Sequence, residues 1–461
     1  MFGLKTVALG LVVMTASWAQ PTTPEGYQPQ ADQIVEASRT SEVGWSRLAT
    51  LCTKFPHRLS GTEGLESAID WIVEEMKKDG FDSVTTDPVE VPSWRRGDES
   101  LTLLGQEPQE LAVLALGGSV ATPTDGLEAP VLVVSSYDEL EQNRDKAKGR
   151  IVVYNVPFTT YGETGRYRWE GASKAAEVGA VASLVRSVTP FSLATPHTGG
   201  MGYDDKLPKI PAGAITPEAA QSLARRQSAG IQDRLRLVLE TEALPDAPSR
   251  NVVAEIRGRE FPEQVVVLGG HIDGWDIGEG AQDDGGGCLM SWEALRLIKA
   301  LDLKPRRTIR VVLWTNEENG LRGAKAYHQL RKAEVKDHVL AIESDYGTFH
   351  PSGYGFSGTA EARALLQETV DLLKASIGPM EIKTPGGGAD IGPLMAEGVP
   401  GAGLTHKDER YFWYHHSAAD TLEKIDPKDF RNGAATLAVT AFVVADMPER
   451  LPFGKARAVT K

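Results

Sequence analysis

From residue 251 onward, apolar runs of strand length alternate with stretches of helical periodicity: strands at 252–256, 265–269, 308–314 and 339–342, helices at 290–300 and 323–332. A strand followed by a helix and then by another strand closes most simply through a crossover that leaves the two strands parallel. The pattern therefore predicts an α/β fold, a mainly parallel (mixed) sheet with helices on both faces. In such a sheet ligands bind outside the carboxyl ends of the strands, so residues just after the apolar runs are where chemistry is expected.

Three of these runs end in acidic or imidazole residues. His271-Ile272-Asp273 follows 265–268, Glu317-Glu318 follows 311–314, and Asp345 follows 340–342 with Glu343 and Ser344 between. Asp283-Asp284-Gly285-Gly286-Gly287 leads into a helix, and His415-His416 stands far downstream. Singly, an acid after a strand is commonly a helix cap and a histidine a satisfied polar residue. Accident does not gather all of them at one edge of one sheet. Imidazole nitrogen and carboxylate oxygen without thiolate suit zinc or a similar divalent ion, and carboxylates able to bridge are what a two-metal site needs. Asp273, two residues from His271, is placed to fix the imidazole tautomer from alongside. Glu317 and Glu318 project differently, so one can bind metal while the other takes a proton from water.

At 461 residues the chain exceeds one ordinary domain. Lys5, the apolar stretch 7–14 and the small residues Ala16, Ser17 and Ala19 have the order of a signal peptide over 1–19, too short for a bilayer span, which predicts a secreted or periplasmic protein. Residues 20–32, with Pro21, Pro24 and Pro29, read as a flexible lead-in. Residues 33–98 read as the first part of the main domain, with Pro56-His57-Arg58 breaking a helical pattern and Thr62 capping a helix buried through Leu65, Ala68, Ile69, Ile72 and Val73. Over 99–247 the texture changes to short β-type runs at 131–135, 151–156, 181–185 and 235–239, interleaved with helices at 171–177 and 217–226. This predicts an inserted domain that leaves through a linker at 243–249, before the main part at 248–461. The balance of 49 basic against 63 acidic residues, net charge -14, argues against nucleic acid or an anionic membrane surface as a partner. Cys52 and Cys288 lie in different contexts and read as two buried free thiols rather than a bridge.

His271-Ile272-Asp273, Asp283-Asp284-Gly285-Gly286, Glu317-Glu318, Glu343-Ser344-Asp345 and His415-His416-Ser417 resemble, in order, the motifs of the di-zinc aminopeptidase and glutamate carboxypeptidase superfamily. Pro56-His57-Arg58-Leu59-Ser60-Gly61, the run from Gly149 to Asn155, Ser291-Trp292-Glu293-Ala294-Leu295 and the run from Tyr411 to Ser417 extend the likeness, nearest to its plasma glutamate carboxypeptidase branch, over nearly the whole mature chain. The resemblance implies the di-zinc exopeptidase fold and two zinc ions per chain. His271 and Asp345 would hold one and Glu318 and His416 the other, with Asp283 bridging and Glu317 as general base. It implies a cis Asp283-Asp284 peptide. It favours His416 over His415 as ligand because Ser417 follows it, which leaves His415 as a substrate-binding candidate. Region 99–247 would be a protease-associated domain partly covering the site, with Arg166 reaching a substrate carboxylate. The implied activity is hydrolysis of dipeptides or short peptides with a free amino terminus. An aminopeptidase releasing single residues, a one-zinc glutaminyl cyclase and a binding protein without activity are the alternatives, and a homodimer is implied by the relatives.

Overall fold

The computed structural model describes residues 21–407 and 410–454, so the signal-peptide segment 1–19 lies outside the described residues. Two long antiparallel strands, Ser83–Leu103 and Arg234–Ile256, form a spine whose register runs from Ser83 opposite Glu255 to Leu103 opposite Leu235. At one end of the spine Arg307–Trp314 pairs antiparallel with Arg234–Ile256, and Phe261–His271 lies between Arg307–Trp314 and His338–Glu343, parallel to both. Gly401–His406 continues in parallel, and the antiparallel Pro351–Ser357 and then Glu381–Lys383 finish that edge. At the other end Leu127–Val134 pairs with the spine, followed in parallel by Ile151–Tyr154, Ala182–Arg186 and Ala212–Ile215. The described residues thus form a mixed sheet of 14 strands shared by a larger and a smaller lobe.

The strands Arg307–Trp314 and His338–Glu343 are buried at every residue, as parallel strands covered on both faces must be. One face packs against Gly286–Ala300 and Pro427–Asp446 through residues such as Leu295, Ile298, Leu437 and Val444, and the other against Arg322–Leu330 through Ala324 and Tyr327. The α/β architecture with helices on both faces agrees with the sequence pattern. Thr62 caps Glu63–Lys78 by accepting the Leu65 N–H at 3.4 Å, and Leu65, Ala68, Ile69 and Ile72 are buried. Cys52 and Cys288 are free and buried. No helix among the described residues is long and apolar enough to cross a membrane.

Two sequence expectations give way. The lead-in is ordered from Pro24: a short 3-10 turn, Pro24–Tyr27, passes into the helix Gln28–Thr40, and Tyr27, Ala31, Ile34 and Val35 are buried. Tyr27 donates to Asp446 Oδ2 at 3.2 Å. Pro24 and Pro29 occupy opening turns, where a missing N–H costs nothing. Likewise the linker expected at 243–249 lies inside Arg234–Ile256, where residues 243, 244, 247, 248 and 249 pair with Ser83–Leu103 only and Pro245 falls at a register shift, so Pro245 and Pro248 interrupt no second ladder.

Arg58 ties the N-terminal segment to the sheet. It is fully buried and donates to the carbonyls of Ile272 at 2.9 Å, Phe55 at 3.1 Å, Glu279 at 2.8 Å and Gly280 at 2.8 Å. Three of those carbonyls belong to the loop between His271 and Asp283. Arg58→Leu would leave them unsatisfied and is expected to lower the unfolding free energy by roughly 3 kcal/mol or more, measured by urea denaturation. A loss below about 1 kcal/mol would show that the loop finds other donors.

Candidate metal centre

His271 ends Phe261–His271, and the strands on either side run parallel to it, so their following segments, Glu317-Glu318 and Asp345, arrive at the same edge. Asp283 enters from the turn Ala281–Gly285 that precedes Gly286–Ala300, and His416 from the turn after Tyr411–Tyr414. Gly287 permits this convergence, since a Cβ there would lie 1.7 Å from the Ser344 carbonyl oxygen.

Asp283 is the centre of the arrangement. Its Oδ1 is 3.3 Å from His271 Nε2, which is itself 3.4 Å from Asp345 Oδ1. Its Oδ2 is 3.2 Å from His416 Nε2, which is 2.9 Å from Glu318 Oε2. Four ligands at the 2.0–2.1 Å typical of zinc–nitrogen or zinc–oxygen bonds stand roughly 3.3 Å apart in a tetrahedron, close to these separations. Asp283 Oδ2, Glu318 Oε1 and Asp345 Oδ1 are buried without a hydrogen-bond partner. Buried carboxylate oxygens without a donor, those of Asp283 and Asp345 set against imidazole nitrogens, are costly unless a cation sits among them, so the donor set fits metal.

Both imidazoles are turned the same way. His271 Nδ1 lies 3.0 Å from the Asp273 carbonyl oxygen and His416 Nδ1 3.4 Å from that of Thr198. A carbonyl only accepts, so His271 Nδ1 carries hydrogen; His416 Nδ1 lies between the Thr198 carbonyl and Arg168 Nη1, each at 3.4 Å, and in both rings Nε2 faces Asp283. Against the opposing effect of burial, Asp345 holds the pKa of His271 well above its ordinary value and Glu318 does the same for His416. A metal ion would replace those protons.

Asp273 does more than was read from its spacing. Its carbonyl, not its carboxylate at 3.7 Å, orients His271. The carboxylate accepts the backbone N–H of Glu317 at 3.0 Å and of Glu318 at 3.4 Å, and the Ser60 hydroxyl at 3.0 Å. It therefore sets the turn that carries both glutamates. Glu318 is further held by Trp275 Nε1 at 2.6 Å, whereas Glu317 faces the cavity, where burial pushes its carboxyl well above the usual carboxylate range.

The cavity has a volume of about 430 Å³. Glu317, Asp345, Tyr346 and Phe412 of the larger lobe and Tyr161, Arg168 and Trp169 of the smaller line it. Arg166 does not; its guanidinium lies 4.9 Å from the ring centre of Tyr137, on another face of the helix Tyr161–Trp169. Arg168 takes the expected place, donating to the Tyr161 hydroxyl at 2.7 Å. Seven residues, about two turns, separate Tyr161 from Arg168 and put them on one face, a signal the sequence contains once Thr160 is recognised as the helix cap. His415 is stacked on His416 with ring centres 3.5 Å apart and Nε2 3.6 Å from Asp283 Oδ2, so it lies against the same carboxylate. The Asp283-Asp284 peptide is cis. Residue spacing alone missed the Tyr411 hydroxyl, which donates to Asp283 Oδ1 at 2.9 Å, and Asp420, which accepts the N–H of Gln282 at 2.7 Å and of Asp283 at 3.2 Å.

Residues 251–441 match the model of peptidase family M28. A carboxypeptidase Q from Xenopus laevis is 46% identical over 434 residues, which cover 94% of this chain and 92% of that protein. The crystal structure of a peptidase M28 precursor from Shewanella amazonensis SB2B superposes with a TM-score of 0.89 at 33% identity, covering 93% of this chain and 99% of the other. A zinc aminopeptidase from Bacillus subtilis has the same fold, with a TM-score of 0.65 at 20% identity, covering 94% and 100% of the two chains.

The buried acids make the metal-free protein sensitive to pH. Burial raises the pKa of Asp420 and Glu343 to about 7, with Asp283 and Asp345 adding to the effect, while unfolded carboxyls titrate near about 4. The folded chain holds these protons longer, so the stability they contribute is full below about 4 and is lost as pH rises through about 7. Metal-free protein is therefore expected to melt at lower temperature at pH 8 than at pH 5. Zinc at about 100 times its dissociation constant would add about 2.7 kcal/mol, and Asp283→Ala would abolish most of that gain in a thermal melt.

Proposed function

The chain belongs to peptidase family M28, and we propose that it is a di-zinc exopeptidase hydrolysing dipeptides or short peptides with a free amino terminus. The observation that carries this reading is Asp283, shared between two sets of potential ligands: His271 and Asp345 on one side, His416 with the stacked His415 on the other. His271, Asp283 and Asp345 would hold one zinc, and Asp283, Glu318 and His416 the second. Zinc bound there supplies Lewis acidity, lowering the pKa of water and polarising a scissile carbonyl.

The chain's own groups do the remainder. Glu317 accepts the proton of the attacking water and returns it to the leaving amine nitrogen. Asp273, by fixing the Glu317 N–H, keeps that carboxylate at the cavity wall. The Tyr161–Trp169 helix closes one side of a cavity suited to a short peptide rather than a long chain. Arg168 is buried and has no carboxylate partner among the described residues, which suits it to pair with the terminal carboxylate of a dipeptide. In the same reading 1–19 directs export to the periplasm or medium, and 99–247 is a protease-associated domain whose helix brings Arg168 to the site.

Glu317→Gln is expected to lower kcat by about 100-fold to 10,000-fold while zinc content stays at two per chain by metal analysis. Full activity in that variant would refute the assignment of the base. Arg168→Ala is expected to raise KM for dipeptides with a free carboxylate and leave the corresponding dipeptide amides nearly unchanged. Equal effects on both substrates would assign the enzyme to the aminopeptidase alternative, which reads only the amino end.

A further inference from the structure

The larger lobe supplies every side chain in the two ligand sets, yet one ligand is held in place by the smaller lobe. His416 has φ of 61°, the left-handed conformation that residues with a Cβ rarely adopt. Two consecutive residues of the smaller lobe, His197 and Thr198, bond the His415-His416 turn. Thr198 N–H donates to the His416 carbonyl at 2.9 Å, and its own carbonyl faces His416 Nδ1 at 3.4 Å. His197 Nδ1 is 2.7 Å from the His415 carbonyl oxygen, which requires the hydrogen to be on Nδ1. His197 and Thr198 are both buried, and burial pushes the His197 pKa down to about 4, so the ring is neutral.

The segment is itself anchored at both lobes. His197 N–H donates to Ser187 Oγ at 2.8 Å, and that hydroxyl donates to the Ile215 carbonyl at 2.8 Å, at the end of a strand of the smaller lobe. Thr198 Oγ1 donates to the Ala115 carbonyl at 2.7 Å and accepts from Arg96 Nη2 at 3.2 Å, while Arg96 Nε bonds Asp276 of the larger lobe at 2.8 Å. A Cβ on Gly199 would lie 2.5 Å from the Arg168 guanidinium, so the chain passes as close to that side chain as a backbone can.

We propose that His197 and Thr198 are positioning residues for the metal ligand His416, holding its backbone left-handed and its ring beside a fixed carbonyl, so that the smaller lobe completes one metal site and not the other. The proposal rests on the two-zinc reading above. His271, by contrast, takes its acceptor from Asp273 in its own lobe, and nothing in the 197–200 segment touches it.

The test uses the full chain carrying His197→Ala or His197→Asn, loaded with zinc and titrated with a chelator, and in parallel loaded with cobalt(II) for its visible absorption. His197→Ala is expected to weaken one metal equivalent by about 10-fold to 100-fold, leave the other unchanged, and alter the cobalt bands of the weakened site only. His197→Asn keeps an amide N–H where Nδ1–H stood and is expected to restore affinity to within a few-fold. Wild-type affinities and spectrum in the alanine variant would overturn the proposal. So would equal weakening of both equivalents in the alanine and asparagine variants, which would mark His197 as a packing residue. A wild-type chain that binds only one equivalent would overturn the two-zinc reading first, before any variant is made, and this proposal with it.

Discussion

Like charges gathered at low dielectric are the constraint to which this fold answers. Nine carboxylates, Asp273, Asp283, Asp284, Glu317, Glu318, Glu343, Asp345, Asp390 and Asp420, stand at or beside one edge of the sheet. Four of them are satisfied by pairs of backbone N–H groups. Asp273 takes those of Glu317 and Glu318, Asp284 those of His271 and Gly287, Glu343 those of Ala389 and Ile391, and Asp420 those of Gln282 and Asp283. Each pair ties an acid to another segment, so the acids act as brackets between loops. Asp283, Glu318, Asp345 and Asp390 keep at least one buried oxygen without a hydrogen-bond partner. Asp283, Glu318 and Asp345 differ from Asp390 in standing against the His271 and His416 imidazoles, where a cation would meet them.

The same sheet carries the second lobe to that edge. Because Ser83–Leu103 and Arg234–Ile256 run unbroken through both lobes, the smaller lobe is not hung on a flexible linker, and its helix Tyr161–Trp169 is placed over the cavity by strand pairing. Arg96, between Asp276, Glu99 and Thr198, locks the junction where the lobes meet near the site. A lobe fixed in this way can contribute atoms with the precision a metal ligand or a substrate carboxylate requires.

Much of the centre was legible because parallel strands buried on both faces leave continuous apolar runs, and the residues that follow such runs converge whatever the details of packing. His271, Glu317-Glu318 and Asp345 are of that kind. What depends on side-chain direction was not legible to the same degree. Arg166 and Arg168 differ by two residues, which on a helix is the opposite side, and only the helix start decides between them. The prolines at 24 and 29 look like loop residues until the buried Tyr27 shows the chain packing onto Pro427–Asp446. Asp273 was expected beside the His271 ring because the spacing puts it close; its carboxylate faces away because the two N–H groups of the Glu317-Glu318 turn are stronger claimants than a ring nitrogen already served by a carbonyl.

That competition also explains how two adjacent glutamates come to have different surroundings. Both hang from Asp273 through their backbones, so neither is distinguished by chain position. Glu318 then meets Trp275 Nε1 and His416 Nε2, which hold one oxygen and turn the carboxylate inward. Glu317 meets neither and is left at the cavity wall in an environment that favours its protonated form. Burial raises the pKa of both carboxyls, and only Glu317 is free of the Trp275 and His416 contacts that would hinder it from taking and releasing a proton. The proposed division into base and ligand thus rests on which neighbour reaches each carboxylate, and exchanging the two roles would require moving Trp275 as well as His416.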